Sequence, residues 1–308
     1  MSKNVFLFSG QGSQYVGMAK ELYDISEGAK KVFETAEEVL GYDLKSIVFE
    51  GPAEELNKTV YSQPAIMATS LCALEAMKEK GVDFCAVAGH SLGEYAAMAA
   101  SGMVSISDGF KLIKARAEAM QKAAEQNEGA MCAVIGLSSK DVEEVCESVE
   151  GYVTAVNYNS PVQTVIAGEA GAVDKAIEIF TEKKARCMRL NVSSAFHSRL
   201  MQSAADEFIK TAREIKFRAP KVDFYSNVLG DKLDDFSDMP ELLAKHIVSP
   251  VKFVSELEAM KSAGFDTFIE LGPNKVLTGL VRKTLSDVAF ANVENEKTLA
   301  KAVELLKG

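Results

Sequence analysis

The sequence predicts a mixed α/β fold: a mostly parallel sheet covered by helices, with a smaller βαββαβ unit inserted into it. Three observations lead there. Short apolar runs alternate with long helical patterns over residues 1–127, the order expected of parallel strands joined by crossover helices. From residue 128 to 195 the pattern changes to strand, helix, two strands, helix, strand, which is the ferredoxin-like order. Beyond residue 196 the alternating α/β pattern resumes. The expected division is therefore a discontinuous large domain, 1–127 with 196–308, and a small one, 128–195.

Within the first block, Val5-Phe6-Leu7-Phe8 reads as a buried strand running into the small, polar loop Ser9-Gly10-Gln11-Gly12-Ser13-Gln14. A helix is expected from about Pro64, placed in its first turn where a missing N–H costs little, to Lys80. Phe84 to Ala88 reads as a strand, followed by a helix from Leu92 to Ser101 that Gly102 closes, and a further helix begins near Ser107. The small unit divides into strand Met131–Leu137, helix Lys140–Ser148, strands Tyr152–Asn157 and Gln163–Ala167, helix Ala170–Lys184 and strand Arg186–Leu190. The closing block offers strands Val222–Ser226 and Thr267–Leu271, with helices near 240–247, 254–263, 275–285 and 297–306.

Composition excludes several classes of function. The chain has 308 residues, 47% hydrophobic and 25% charged, with 7 prolines and no low-complexity tract, so it is long enough for about two domains and is not disordered. A net charge of −10 disfavours nonspecific binding to nucleic acid or anionic membranes. The run Val5–Phe8 is too short for a signal-peptide core, and no stretch approaches the ~18 apolar residues of a membrane span. The expectation is a cytoplasmic protein. Cys72, Cys85, Cys132, Cys146 and Cys187 are scattered without Cys-x-x-Cys spacing, which points to buried free thiols and no metal site.

Gly89-His90-Ser91-Leu92-Gly93 fits Gly-x-Ser-x-Gly, a serine on a strained turn between a strand and a helix. The flanking apolar strand and helix-forming run are the context this chemistry needs, and they make the large domain α/β-hydrolase-like. The helix that starts at Leu92 also supplies an N–H and a positive dipole end beside Ser91, suited to a developing oxyanion. A serine hydroxyl needs a base, and the chain has three histidines. His90 adjoins Ser91, and neighbouring side chains diverge on a sharp turn, so it reads as a structural part of the elbow. His246 lies among Leu242, Leu243, Ile247 and Val248, and by pattern alone is a packing or surface residue. His197 lies in Ser193-Ser194-Ala195-Phe196-His197-Ser198, where the small unit rejoins the large one, a common place for an active-site cleft, and is the expected base. Arg116 falls inside the apolar arc of its helix, between Leu112 and Met120. A guanidinium there needs either a fixed carboxylate partner or an anionic ligand.

These residues resemble a known family, the malonyl-CoA:acyl-carrier-protein transacylases, kin of polyketide-synthase acyltransferase domains. The resemblance rests on Phe8 to Gln14, Ser62-Gln63-Pro64-Ala65, Gly89 to Tyr95, Arg116 with Met120, and Gly129-Ala130-Met131. It continues through Asn157-Tyr158-Asn159-Ser160-Pro161, Ala195 to Ser198, Ser226-Asn227-Val228, Ser249-Pro250-Val251 and Glu270-Leu271-Gly272-Pro273 before Val276-Leu277. It implies that Ser91 is acylated, that His197 is its base, and that the Gln11 and Leu92 amides form an oxyanion hole. Arg116 would pair with the malonyl carboxylate, and Gln63, Met120, Asn159 and Phe196 would line the substrate site. The donor would be malonyl-CoA and the acceptor the phosphopantetheine thiol of an acyl carrier protein, with no bound cofactor and a monomeric state.

Phe196 and Leu92 match malonyl-selective relatives, because a ring beside the base crowds a methyl branch on the acyl group. Two positions depart from the family's usual pattern. Ser9 stands where proline is common, which is expected to affect only loop stiffness. His246 stands where Gln or Asn is common, the residue whose backbone carbonyl orients the base; a carbonyl survives the substitution, so a dyad without an acid is expected. A hydrolase using the same dyad is the rival reading among enzymes, and a non-catalytic carrier-protein-binding subunit the rival outside them. Arg116 speaks against the first, and Gln11, Ser91, Arg116 and His197 together against the second. An acidic chain that receives an anionic thioester also needs a locally positive cleft.

Overall fold

A computed structural model describes residues 3–192 and 194–307; Met1, Ser2, Ser193 and Gly308 lie outside the described residues. Among the described residues ten strands form two sheets: β1 Asn4–Phe8, β2 Ala86–Gly89, β3 Ala130–Ile135, β4 Val153–Ser160, β5 Gln163–Gly168, β6 Arg186–Arg189, β7 Asp223–Ser226, β8 Asp231–Lys232, β9 Thr267–Leu271 and β10 Ala289–Val293. The larger sheet runs β10-β9-β1-β2-β7-β8, parallel throughout except for the short β7–β8 pair. The smaller is antiparallel in the order β4-β5-β3-β6, which for a βαββαβ chain is the ferredoxin-like arrangement.

Strand β1 shows why its whole apolar run is buried. Phe6 and Phe8 face a core made with helices Thr59–Glu79, Ile106–Gln126 and Glu27–Leu40, while Val5 and Leu7 face a second core with Phe253, Leu257, Leu277 and Val281. A strand with helices on both faces has no solvent side, so the alternation of polar and apolar residues disappears. The small sheet has its own core around Ile166, Val173 and Phe180. The small sheet is tied to the segment before helix Phe253–Ser262, where Asn157 of β4 pairs with Val251 and Tyr158 N–H donates to Val251 O at 2.9 Å.

Several details differ from the sequence reading. The helix expected to open at Pro64 begins five residues earlier, at Thr59, so Pro64 lies inside it. Proline there leaves the Val60 carbonyl without its helical donor, and the Tyr42 hydroxyl approaches that carbonyl at 3.4 Å. Helices Lys20–Ile25, Glu27–Leu40, Leu44–Glu50, Ala53–Leu56 and Gln202–Ala212, and edge strand β10, lie outside the elements the sequence pattern predicts, and of the cysteines expected to be buried Cys85 is exposed and Cys187 half-buried. Ser9 does more than loosen its loop, since its hydroxyl donates to the buried Glu270 Oε1 at 3.2 Å. Glu270 in turn accepts from the Leu277 and Thr278 amides, tying the loop after β1 to the start of helix Val276–Thr284.

Backbone meets backbone closely around Gly89 and Gly93. A Cβ on Gly89 would sit 2.0 Å from Gly93 C, and one on Gly93 would sit 2.1 Å from Phe8 O. No rotamer relieves a clash with backbone, so glycine at both ends is what lets helix Gly93–Ser101 rise directly off β2 against β1. Gly93→Ala is therefore expected to cost upward of ~3 kcal/mol, the upper range for overpacking, measured by urea unfolding followed by circular dichroism. A loss below ~1 kcal/mol would contradict this account.

Candidate active site

Ser91 occupies the turn between β2 and helix Gly93–Ser101 with φ of 54°, a left-handed conformation that is unusual for a non-glycine residue and costs on the order of 1–3 kcal/mol. The bend exposes the hydroxyl in a cleft of about 330 Å³ walled by Gln11, Gly12, Met120, Asn157, Phe196 and His197, with Gln14, Asn57 and Asn191 farther along it. No carboxylate lines this cleft among the described residues.

His197, itself at φ of 60°, brings its Nε2 to 2.7 Å from Ser91 Oγ. Its Nδ1 faces two backbone carbonyls, His246 O at 3.0 Å and Ser249 O at 3.1 Å. Carbonyls only accept, so Nδ1 carries the hydrogen, Nε2 presents its lone pair and the serine O–H donates to it. The ring is oriented without a carboxylate. Burial first, and then the Arg116 charge, push the imidazole down to about 3, so it stays neutral at physiological pH.

Arg116 projects from helix Ile106–Gln126, which Ser105 caps by accepting the Asp108 N–H at 3.0 Å. The guanidinium is buried: Nη1 donates to Gln63 Oε1 at 2.7 Å, Nη2 to Ser91 Oγ at 3.0 Å, and the group lies 5.4 Å from the centre of the Tyr95 ring. Among the described residues no carboxylate comes within 4.0 Å of it, and Nε has no partner. Glu94 is in the same buried region, but burial pushes its carboxyl up to about 8, leaving it uncharged at neutral pH. The chain thus holds a cation beside the serine without supplying its counter-ion.

The remaining predicted residues sort into cleft wall and backing. Met120 and Phe196 are on the wall, and so is His90, whose ring packs on Phe253. Gln63 stands behind it, holding Arg116 and donating to Met120 Sδ at 3.6 Å. Asn159, expected in the lining, is one layer back, with Oδ1 2.7 Å from His90 Nε2; Asn157, two residues earlier in β4, faces the cleft instead. Leu92 is buried, and its N–H and that of Gln11 make no hydrogen bond within the chain among the described residues. His246 contributes the carbonyl that holds His197.

Asn227 carried no expected role beyond its place in a matching stretch, yet it is fully buried and accepts the Ser91 N–H at 2.7 Å. Among the described residues no cluster of His, Cys, Asp and Glu could hold a metal, and no helix is long and apolar enough to cross a membrane.

These buried groups make stability depend on pH in both directions. Burial holds His90, His197 and His246 below the usual imidazole value of 6.5, so the stability they contribute is present above 6.5 and is lost as pH falls. Burial raises Glu94, Glu256 and Glu270 above the usual 4.5, so their contribution is present below 4.5 and is lost as pH rises, toward about 8 for Glu94. Between these limits the opposing slopes offset each other. The thermal midpoint should be nearly level from roughly pH 4.5 to 6.5 and fall on both sides, as a pH series of melting curves would show; a midpoint rising steadily to pH 8 would refute it.

Comparison with known proteins agrees with this geometry. The family model described as acyl transferase domain matches residues 5–303. A malonyl CoA-acyl carrier protein transacylase of Bacillus subtilis is 40% identical over 311 residues, covering 100% of this chain and 98% of the relative. Among solved structures, the malonyl CoA-acyl carrier protein transacylase of Clostridium perfringens superposes with a TM-score of 0.95 at 40% identity, covering 99% and 98% of the two chains. A type II PKS acyl-carrier protein complex with its malonyl-transacylase matches with a TM-score of 0.94 at 35% identity, covering 99% of this chain and 100% of that one. Full-length agreement in sequence and fold, around a serine elbow with a histidine in reach, makes this chain a member of the acyl transferase domain family.

Proposed function

We propose that this protein transfers a malonyl group from malonyl-CoA to the phosphopantetheine thiol of an acyl carrier protein through a malonyl ester on Ser91. The observation that carries the reading is Arg116, a buried cation 3.0 Å from the serine hydroxyl with no carboxylate of its own within 4.0 Å among the described residues. An acyl group ending in a carboxylate supplies what the site lacks, whereas a neutral acyl chain leaves the charge buried and unpaired. Relatives named for malonyl transfer to acyl carrier protein support the same substrate pair.

His197 Nε2 takes the Ser91 proton as Oγ attacks the thioester carbonyl, and the Gln11 and Leu92 N–H groups receive the oxyanion. The tetrahedral intermediate collapses, the C–S bond breaks, and His197 returns its proton to the CoA thiolate. In the second half-reaction His197 deprotonates the carrier thiol, which attacks the ester carbonyl; the bond from that carbon to Ser91 Oγ then breaks, and His197 returns the proton to Oγ. Because the imidazole is neutral when the serine is free, it is ready to accept the Ser91 proton in the first half-reaction. Phe196 crowds the carbon between the two carbonyls of the acyl group and disfavours a branch there.

Intact mass after incubation with malonyl-CoA should show one malonyl adduct, absent from Ser91→Ala and lost on addition of holo carrier protein as that protein gains the group; release of free malonate without transfer would favour hydrolysis. Arg116→Ala should lower kcat/KM for malonyl-CoA by ~10²–10³, the loss expected for a buried charge pair, and acetyl-CoA far less; equal losses would remove the clamp. Malonyl-CoA should be preferred over methylmalonyl-CoA by roughly 10–200-fold in kcat/KM, as for one methyl group in a tight pocket, and a ratio near one would sink the role given to Phe196.

A further inference from the structure

Beneath the elbow, one side-chain amide touches Ser91 and the ring of His246, whose carbonyl holds the base. Asn227 follows directly after β7 and makes four hydrogen bonds through its side chain. Nδ2 donates to Gly89 O at 2.7 Å and to Glu256 Oε1 at 2.6 Å. Oδ1 accepts the Ser91 N–H at 2.7 Å and faces His246 Nε2 at 3.2 Å. Its backbone N–H donates to Glu94 Oε1. The two Nδ2 partners are acceptors, which settles the amide's orientation: the atom facing His246 is the oxygen, so His246 carries its hydrogen on Nε2. Nδ1 then points its lone pair at Glu94 Oε2, 3.4 Å away.

The consequence is geometric. Ser91 sits in a left-handed conformation that a non-glycine residue disfavours, and Asn227 Oδ1 holds its amide. The same oxygen holds the His246 ring, and the His246 carbonyl, 3.0 Å from His197 Nδ1, orients the base. Serine and base come from segments 106 residues apart, and Asn227 is bonded to the first and, through His246, to the second. We propose that Asn227 is a positioning residue that sets the register of Ser91 against His197, by tying the serine amide and the His246 ring to one buried oxygen. This rests on the reading of Ser91 and His197 as the acyl-transfer dyad.

Asn227→Asp tests it, because the replacement has the same size and can titrate. When protonated, the introduced carboxyl keeps an accepting oxygen for Ser91 and His246 and one O–H for Gly89 O or Glu256. When ionised, it loses both donated bonds and sets a negative charge against the Gly89 carbonyl oxygen. The groups facing it are Glu94 from helix Gly93–Ser101, Glu256 from helix Phe253–Ser262 and His246 from helix Met239–Val248, with Arg116, His90 and His197 near them.

Two rates are read from pH 5 to 8: sulfonylation of Ser91 by phenylmethylsulfonyl fluoride, followed by intact mass, and malonyl transfer, resolved into kcat and KM. Wild-type sulfonylation should be nearly level with pH, since His197 stays neutral. N227D should come within ~10-fold of wild type at pH 5 and fall a further ~10–100-fold by pH 8, the penalty for a misplaced reacting group, with KM for malonyl-CoA within about 3-fold. A variant profile parallel to wild type, whether at full rate or uniformly depressed, would overturn the proposal, as would a change confined to KM. Should N227D melt before pH 8, Asn227→Ser is read at pH 7: a ~10–100-fold fall in kcat at unchanged KM supports the proposal, and a fall below 3-fold overturns it. If wild-type Ser91 is sulfonylated but never malonylated, the malonyl-transfer reading fails, while the sulfonylation rates still decide the role of Asn227.

Discussion

A guanidinium buried without a counter-ion is the constraint around which this site is organised. Arg116 would ordinarily recruit a carboxylate, since an unpaired interior charge costs several kcal/mol. Here the nearby acid Glu94 is kept uncharged by burial, the three histidines are kept neutral by the same desolvation, and the cleft wall carries no Asp or Glu among the described residues. Gln63 and Ser91 give the cation neutral hydrogen-bond partners, enough to hold its orientation without cancelling its charge. The same desolvation, together with the Arg116 charge, keeps the His197 imidazole neutral.

The elbow depends on backbone contacts as much as on side chains. Gly89 and Gly93 allow strand, turn and helix to meet at distances no other residue permits, which places the Leu92 N–H and the Ser91 hydroxyl at the same end of the parallel sheet. Gln11 reaches that end on the loop after β1, the strand next to β2, and Ser9 and Glu270 brace the loop from β9 on the other side. The base arrives from the segment after the small antiparallel sheet, which also brings Asn157 to the wall. Two sheets of different kind therefore enclose a site that neither could form alone.

Legibility in the sequence followed the range of each interaction. Gly-x-Ser-x-Gly between an apolar strand and a helix is a local pattern, and it was readable. Arg116 inside an apolar arc follows from 3.6 residues per turn, so its burial was readable as well. Helix Glu27–Leu40 was present in the spacing of Ala29, Val32, Phe33, Ala36 and Leu40, a signal left unread. The start of helix Thr59–Glu79 was not readable from Pro64, because the proline's lost hydrogen bond is offset by a tyrosine hydroxyl from 18 residues away. Asn227 was illegible for the same kind of reason: its partners are 136, 29 and 19 residues distant, and an asparagine after a strand ordinarily signals only a turn.

By itself the sequence determined the kinds of chemistry available: an activated serine, three candidate bases, one interior cation, and the α/β order that carries them. These are properties of residue type and short-range period. Tertiary structure decided the contact of the expected His197 with the serine, the second carbonyl, Ser249 O, that joins that of His246 in orienting it, and that Glu94 is a neutral acid and not the partner of Arg116. Those outcomes depend on desolvation and on contacts between segments far apart in the chain, and both arise only when the two sheets close over the elbow.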